Sequence, residues 1–284
     1  MGVTTSVSRL SGRARNLSGR SLRPRRNAVR HAFGVLAAAL LLPFVGAGPA
    51  GAEGPPAPPA AGSAGDFLVH RPRGAVGVSG GWQFAFASSD LYDFFESELT
   101  IERSDFDAPL IRVEGAIVVS ARLQVLVDVD ISRTSVDSEY REFIGTDGLP
   151  IVQTTSLDKT AVTGSLKFAL SPRGDQVSAL AWVPRRVVPY VGGGGGAMKY
   201  SLEQSGDFVD REDLGVFTDS FSSEGWAPTL HAFGGMDIRL LRMLFLGIEG
   251  RYVWSAADLG ADFVGFDPID LSGFVTSVGV SWVF

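Results

Sequence analysis

Residues 274–284, Phe-Val-Thr-Ser-Val-Gly-Val-Ser-Trp-Val-Phe, decide the fold. Read back from Phe284, the residues Trp282, Val280 and Val278 alternate with Val283, Ser281, Gly279 and Ser277, and the alternation continues through Thr276 to Phe274. A period of two over this length is a strand with two unlike faces. The strand carries an aromatic at residue 284, which a water-soluble protein has little reason to expose.

Working outward from that strand, seven further alternating segments precede it. They are Ala75 to Ala87, Leu110 to Ser120, Leu123 to Arg133, Lys159 to Ala169, Val188 to Tyr200, Thr229 to Leu240 and Leu244 to Trp254. Each is about 10 to 13 residues, the span a tilted strand needs to cross a bilayer. Eight is an even count, so both ends of the array fall on one side. The connections 88–109, 134–158, 201–228 and 255–270 then fall together on the far side, and these are the long ones. On the near side 170–187 is the one long connection and reads as a turn, because a ninth strand would spoil the parity. The expected fold is all-β: an eight-stranded antiparallel up-and-down transmembrane β-barrel.

The terminal pattern itself is polar, any, glycine, any, any, apolar, any, aromatic, met by Ser277, Gly279, Trp282 and Phe284. It resembles the carboxyl-terminal sorting signal of bacterial outer-membrane β-barrels. Across residues 74–284 the chain is similar to the small barrels of the OmpA-transmembrane and OmpW-like superfamily. The segments Pro189-Tyr190-Val191-Gly192-Gly193-Gly194 and Ile248-Glu249-Gly250-Arg251-Tyr252 look like strands of that family. The resemblance implies a place in the outer membrane of a Gram-negative cell envelope, contact with outer-membrane lipid, and delivery by periplasmic chaperones and the barrel-assembly machinery. It also implies porin-like architecture without naming an activity. Unlike full-length OmpA, the chain shows no peptidoglycan-binding domain after the barrel.

The amino-terminal part fits export. Residues 1–52 hold eight arginines and no acid, then the apolar run Ala32 to Val45 and the small-residue triplet Ala50-Gly51-Ala52. A basic segment, a short apolar core and an A-x-A site make a secretory signal peptide, expected to end at Ala52. The apolar run is too short for a membrane-spanning helix. Residues 53–73 are a Pro/Ala-rich linker followed by a lead-in, Asp66 to Arg73, expected to lie across the periplasmic mouth.

The whole chain has 25 basic and 31 acidic residues; without the eight leader arginines 17 basic residues remain, a net charge of −14. Such a surface does not seek nucleic acid, which is bound through basic contacts to phosphate. Cysteine is absent, which excludes thiol catalysis and cysteine-held zinc. Beyond the leader the only histidines are His70 and His231. One deacylase type among small outer-membrane barrels has a His with a Ser two residues on, and His231-Ala232-Phe233 lacks that serine. Gly192 to Gly196 lacks the lysine-hydroxyl pair and following helix of a phosphate loop, so it reads instead as room for neighbouring interior side chains. The reading is of a non-enzyme, with no cofactor and no dedicated metal site.

The strand faces opposite the apolar ones carry Arg112, Glu114, Asp128, Asp130, Lys167, Lys199, Asp237, Arg239, Glu249 and Arg251. Inside so narrow a barrel both signs must pair, giving a packed polar core; the competing reading is an ion-lined path. Aromatics at strand ends predict two interface girdles, Tyr200, Tyr252, Trp254 and Phe274 outside and Phe168, Tyr190, Trp282 and Phe284 inside. Three of the outer loops, 88–109, 201–228 and 255–270, hold 18 acids against Arg103 and Arg211. Asp207, Asp210, Glu212 and Asp213 are candidates for weak divalent-cation binding, although no EF-hand spacing is present. The outer loops also hold Leu91, Tyr92, Phe94, Phe95, Phe208, Phe217, Phe221, Phe263 and Phe266, apolar enough to pack together or receive a ligand. Function therefore divides between a structural or surface-interaction barrel with acidic outer loops and an OmpW-like conduit or binder for small hydrophobic molecules.

Overall fold

The computed structural model describes residues 67–284 except 146–147, 179–180 and 211–214. The leader, its Ala50-Gly51-Ala52 site, the linker up to residue 66, and Glu212 and Asp213 lie outside the described residues.

Eight strands form the wall: β1 (Gly74–Ala85), β2 (Ala108–Val118), β3 (Leu123–Ile144), β4 (Pro150–Ala169), β7 (Val187–Val209), β8 (Val216–Arg239), β9 (Leu244–Ala257) and β11 (Gly273–Val283). Each pairs antiparallel with the next, and β11 pairs with both β9 and β1, so the sheet closes into a ring. β5 (Gly174–Ser178) and β6 (Ala181–Pro184) make a separate hairpin within the inner turn, and β10 (Ile269–Asp270) adds briefly to β9 on the outside. Segment 170–187 is thus a turn with its own small hairpin, and the wall keeps its even count.

The closed ring follows from the alternation. On β2, Ile111, Val113 and Ile117 face outward while Leu110, Arg112 and Ala116 are buried within. On β3, Val125, Val127, Val129 and Ile131 face out and Gln124, Leu126 and Asp128 face in. The same division on β1, β4, β9 and β11 gives a continuous apolar belt around the ring. Leaving so much aliphatic surface in water is unfavourable, and in lipid it costs nothing. Closure removes the edges that hydrocarbon could not solvate, so the architecture is that of a membrane-spanning β-barrel. No helix among the described residues is long and apolar enough to cross a membrane.

Two features differ from the alternation-based reading. The paired hairpins β3–β4 and β7–β8 run far past the belt, so most of 134–158 and 201–228 is strand instead of loop. Their outward residues there are polar because they stand in water: Arg133 pairs with Asp158 at 3.5 Å and Lys199 with Glu224 at 3.5 Å, just above the belt. Lys199 is therefore an outward residue and not part of the interior. The second difference is in the girdles. Tyr190 and Tyr200 are buried inside the barrel, on the same face as Met198, while Tyr252, Trp254, Phe168, Trp282 and Phe284 do stand on the outer surface.

At the inner end, Gly74 and Phe284 exchange backbone hydrogen bonds of 3.0 Å in each direction, completing the seam. Residues before β1 pair with the inner turn, where Leu68 and Trp182 exchange two backbone hydrogen bonds of 2.8 Å. The seam leaves no space at Gly279, where an added Cβ would overlap Ser79 Cβ and lie 2.5 Å from the Val78 carbonyl oxygen. Gly80, on the outward face of β1, has open space around it. We expect Gly279→Val to destabilise the barrel by about 3 kcal/mol through overpacking and Gly80→Val to be nearly neutral. Urea unfolding in lipid vesicles, with gel migration before and after boiling, distinguishes the two.

Candidate functional site

The interior is occupied by a charge network at mid-depth. Arg112 on β2 faces Asp130 on β3, its direct cross-strand partner, and makes two hydrogen bonds to it of 2.6 and 3.0 Å. It also donates to Glu249 on β9, across the lumen, at 2.8 Å. Arg251, two residues along β9, donates to the same Glu249 oxygen at 3.1 Å, lies 3.5 Å from Asp128, and stacks its guanidinium 4.8 Å from the Phe233 ring centre. Arg112 and Arg251 are among the most buried large side chains of the protein. Three carboxylates bridge the two arginines, so the charges of this low-dielectric interior are paired, while Arg251 Nη1 and Nη2 and Asp128 Oδ1 make no hydrogen bond.

A second cluster lies toward the inner mouth. Lys167 on β4 is 3.0 Å from Asp237 on β8 and 3.6 Å from the centre of the Tyr190 ring. Tyr190 donates to Glu249 at 3.2 Å, joining the two clusters. Arg173, from the turn after β4, approaches Asp237 at 3.5 Å, and Glu114 borders the same space. Arg239 marks the inner end of β8. The structure thus brings Arg112, Asp128, Asp130, Glu249 and Arg251 into one group and Lys167 and Asp237 into the next.

Three participants lacked a sequence signal: Tyr190, Arg173 and His231. His231 Nε2 lies 2.8 Å from Ser165 Oγ, and that hydroxyl donates to Asp128 at 3.2 Å. Ser, His and Asp are the members of a nucleophile and base relay. Here all three are buried at mid-lumen and hydrogen-bond within the network. The glycine run does make room: a Cβ at Gly192 would overlap the Phe233 ring, the same ring that Arg251 stacks upon. Between these groups remain cavities of about 40 and 20 Å³, sizes that suit a few waters, and a further one of about 40 Å³ toward the inner mouth shares Glu114, Lys167 and Asp237 with the first.

The outer mouth is closed differently, by hydrocarbon. Helix α1 (Asp90–Glu98), in the loop between β1 and β2, turns Leu91, Tyr92 and Phe95 inward. These pack with Leu99, Ile101, Phe106, Phe208, Phe221 and Phe263 in one core that continues down to Met198 and Val253. Phe95 and Phe106 stack at 6.2 Å, Phe208 meets Phe221 edge-on at 4.7 Å, and Phe94 meets Phe266 at 5.5 Å. One small cavity of about 30 Å³ remains within this cap, lined by Leu91, Phe94, Phe95, Phe208, Phe263 and Phe266 among others.

Many loop acids tie this cap down. Asp90 accepts the Asp267 N–H at 3.0 Å, Asp262 accepts the Ser222 N–H at 3.0 Å, and Asp105 accepts the Glu102 N–H at 2.8 Å. Asp270 accepts from the Ser88 hydroxyl, from the Ser88 N–H at 3.2 Å and from the Ser272 N–H at 2.9 Å. The acids left on the outer surface of the two tall hairpins include Asp137, Glu139, Glu142, Glu203, Asp219 and Glu224, an acidic rim. Among the described residues no three His, Asp or Glu side chains gather as a metal site. Asp207 is engaged by the Thr218 hydroxyl at 2.6 Å.

No protein-family model matches the sequence, and no curated protein matches it significantly. Among solved structures, it is similar to Neisserial surface protein A, at 14% identity and TM-score 0.40, over 74% of this chain and 96% of that one. The attachment invasion locus protein Ail of Yersinia pestis matches at 11% identity and TM-score 0.38, over 76% and 100%. The outer membrane protein AlkL matches at 19% identity and TM-score 0.31, over 82% and 96%.

Arg112→Gln leaves Asp130 and Glu249 without their main partner and should cost about 3 to 5 kcal/mol, read as a lowered urea midpoint. Burial pulls the Asp270 carboxyl upward, but the hydrogen bonds from Ser88 and Ser272 outweigh it and hold its pKa below the ordinary value. A depressed folded pKa contributes stability that is present above the unfolded value of about 4 and is lost as pH falls through the folded one. Protease sensitivity of the 255–272 loop should accordingly rise below about pH 4, and Asp270→Asn should raise it at neutral pH and flatten that dependence.

Proposed function

We propose that the protein is a closed surface barrel whose role is structural and interactive, presenting the acidic rim of its two tall hairpins to partners outside the cell. The observation that carries this reading is the double closure of the lumen, by the ion-pair network centred on Arg112 and Arg251 and by the aromatic cap above it. A barrel built to pass solutes keeps a wet path; this one spends its interior on paired charges and packed rings. The rim acids outnumber the nearby bases Arg133, Arg141 and Lys199, so the rim suits cationic partners. Residues 1–52 act as the export signal, 53–73 as linker and lead-in, and Ser277, Gly279, Trp282 and Phe284 as the sorting signal read by the assembly machinery.

One observation favours a second reading, binding of a small hydrophobic molecule. The cavity among Leu91, Phe94, Phe95, Phe263 and Phe266 is largely apolar, although Glu98, Gln153, Gln204 and Asp262 also line it, and it adjoins α1 at the outer mouth. It is too small for a ligand as it stands, so entry requires α1 to lift. The two readings part in one experiment on the refolded protein. In planar bilayers it should be silent, and an aminonaphthalene-type fluorescent probe should bind no more strongly than to lipid alone. Discrete ion steps would overturn the closed-barrel reading. Saturable probe binding that is lost in Phe95→Asp would transfer the function to the hydrophobic binder.

A further inference from the structure

The smallest of the lumen cavities, about 20 Å³, lies where the ion-pair network meets the foot of the aromatic cap, and Lys159 on β4 and Arg251 on β9 both line it. Lys159 shares the inward face of β4 with Leu157 and Ala161, and its cross-strand neighbours are Ser132 on β3 and Tyr200 on β7. Leu157, Ala161 and Tyr200 belong to the apolar core of the cap, so this lysine, 4% exposed, stands against hydrocarbon. Among the described residues it makes no hydrogen bond and no ion pair. The acids whose charge it feels, Asp107 and Asp270, lie at the margin of the cap and are already engaged, Asp107 by the Ala85 N–H at 2.8 Å and Asp270 by Ser88 and Ser272. Arg251, 1% exposed, adds further unused donors: its Nε bonds Glu249, while Nη1 and Nη2 make no hydrogen bond. Asp130 is the one carboxylate on the cavity wall among the described residues; it stands 4.0 Å from Arg251 Nη1, and both its oxygens accept from Arg112 at 2.6 and 3.0 Å. Asp128, 3.5 Å from Arg251 Nη1, does not line this cavity.

We propose that this cavity binds a chloride ion between the Lys159 ammonium and the Arg251 guanidinium. Donor chemistry is the first reason. Two buried cations border one space with N–H groups that lack acceptors, and a buried charge without a partner is unfavourable. A water there would have to donate as well as accept, and neither lysine nor arginine accepts. Size is the second. A space of about 20 Å³ admits a single species close to water in size, which suits a monatomic anion and excludes phosphate or an organic acid. The third is the rest of the wall. Leu110, Met198, Val253 and Val275 surround the two cations with hydrocarbon, where their attraction for an anion is stronger than in water. The site is internal, so it does not depend on what the acidic rim binds. Because the cap closes over it, the ion is taken up as the barrel folds and strengthens the junction between the network and the cap.

The protein is refolded into phosphatidylcholine vesicles at fixed ionic strength, in mixtures of sodium chloride and sodium gluconate, whose anion is too large for the cavity. Above half-saturation, each tenfold rise in chloride should raise the folded-to-unfolded ratio, read by urea titration, about tenfold. Lys159→Met should remove that dependence. In gluconate the variant should be at least as stable as the parent, because methionine fills the space without a buried charge. Identical urea midpoints in chloride and gluconate overturn the proposal, as does a chloride dependence that persists in folded Lys159→Met. If the variant does not fold, crystals of the parent grown in sodium bromide decide: an anomalous peak between Lys159 and Arg251 supports the site, and its absence overturns it.

Discussion

The ladder between β1 and β11, running from Ala75 opposite Val283 to Ala85 opposite Gly273, is the constraint on which everything else rests. A backbone in hydrocarbon has no water to satisfy its N–H and C=O groups, so a sheet there must have no edge. Closing eight strands fixes a narrow interior, and a narrow interior must be filled or hydrated. The fill is decided by the other half of the same alternation: each outward valine or isoleucine on β2 and β3 forces its neighbour inward, and several of those neighbours are charged. The seam and the network are thus two consequences of one pattern.

Buried ion pairs are a weak source of net stability, because desolvating each charge costs much of what the pair returns. Their value here is in register. Arg112 reaches Asp130 on the adjacent strand and Glu249 across the lumen, and a one-residue slip of any of these strands would turn the charge into lipid. Lipid punishes that error far more than water would, so the network enforces the alignment of β2, β3 and β9 even where its own contribution is small. Phe233 adds a shape term: its ring occupies the space above Gly192 and supports Arg251, so a glycine on one strand and an aromatic on the next jointly place a cation.

The barrel was legible in the sequence wherever one face met lipid, because there the two faces differ in kind. Ile111, Val113 and Ile117 against Arg112, Glu114 and Ala116 leave no ambiguity. Above the membrane that contrast disappears. In the upper parts of β3, β4 and β7 the outward Asp137, Glu139 and Glu203 face water, and the inward Ser138, Gln153 and Gln204 bond within the mouth, so both faces are polar and the segments resemble loops. The faces of β7 were obscured by a different cause. Gly192 to Gly196 has no side chains to compare, so nothing local told whether Tyr190 or Val191 pointed inward, and Lys199 and the two tyrosines were misplaced together. His231 and Ser165 meet across strands far apart in sequence, a juxtaposition that only the closed register supplies.

The tall hairpins also give the outer end its shape. β3, β4, β7 and β8 are consecutive around the ring, so the wall stands high on one half of its circumference and low on the half formed by β9, β11, β1 and β2. The two loops that close the mouth, one bearing α1 and the other residues 258–272, both rise from the low half. They lean across and press Leu91, Phe95 and Phe263 against Phe208 and Phe221 on the inner surface of the high half. Thr100 and Glu139 exchange hydrogen bonds of 2.9 Å at one margin of that contact, and Tyr200 donates to the Asp258 carbonyl at 2.7 Å on the other loop. An apolar cap held by acids at its margins is stable against water only while those hydrogen bonds stand. Any opening of the mouth would start on the low side, by release of the loop that Asp270 pins to Ser88, and would expose the aromatic face to the membrane surface before it exposed the charged lumen.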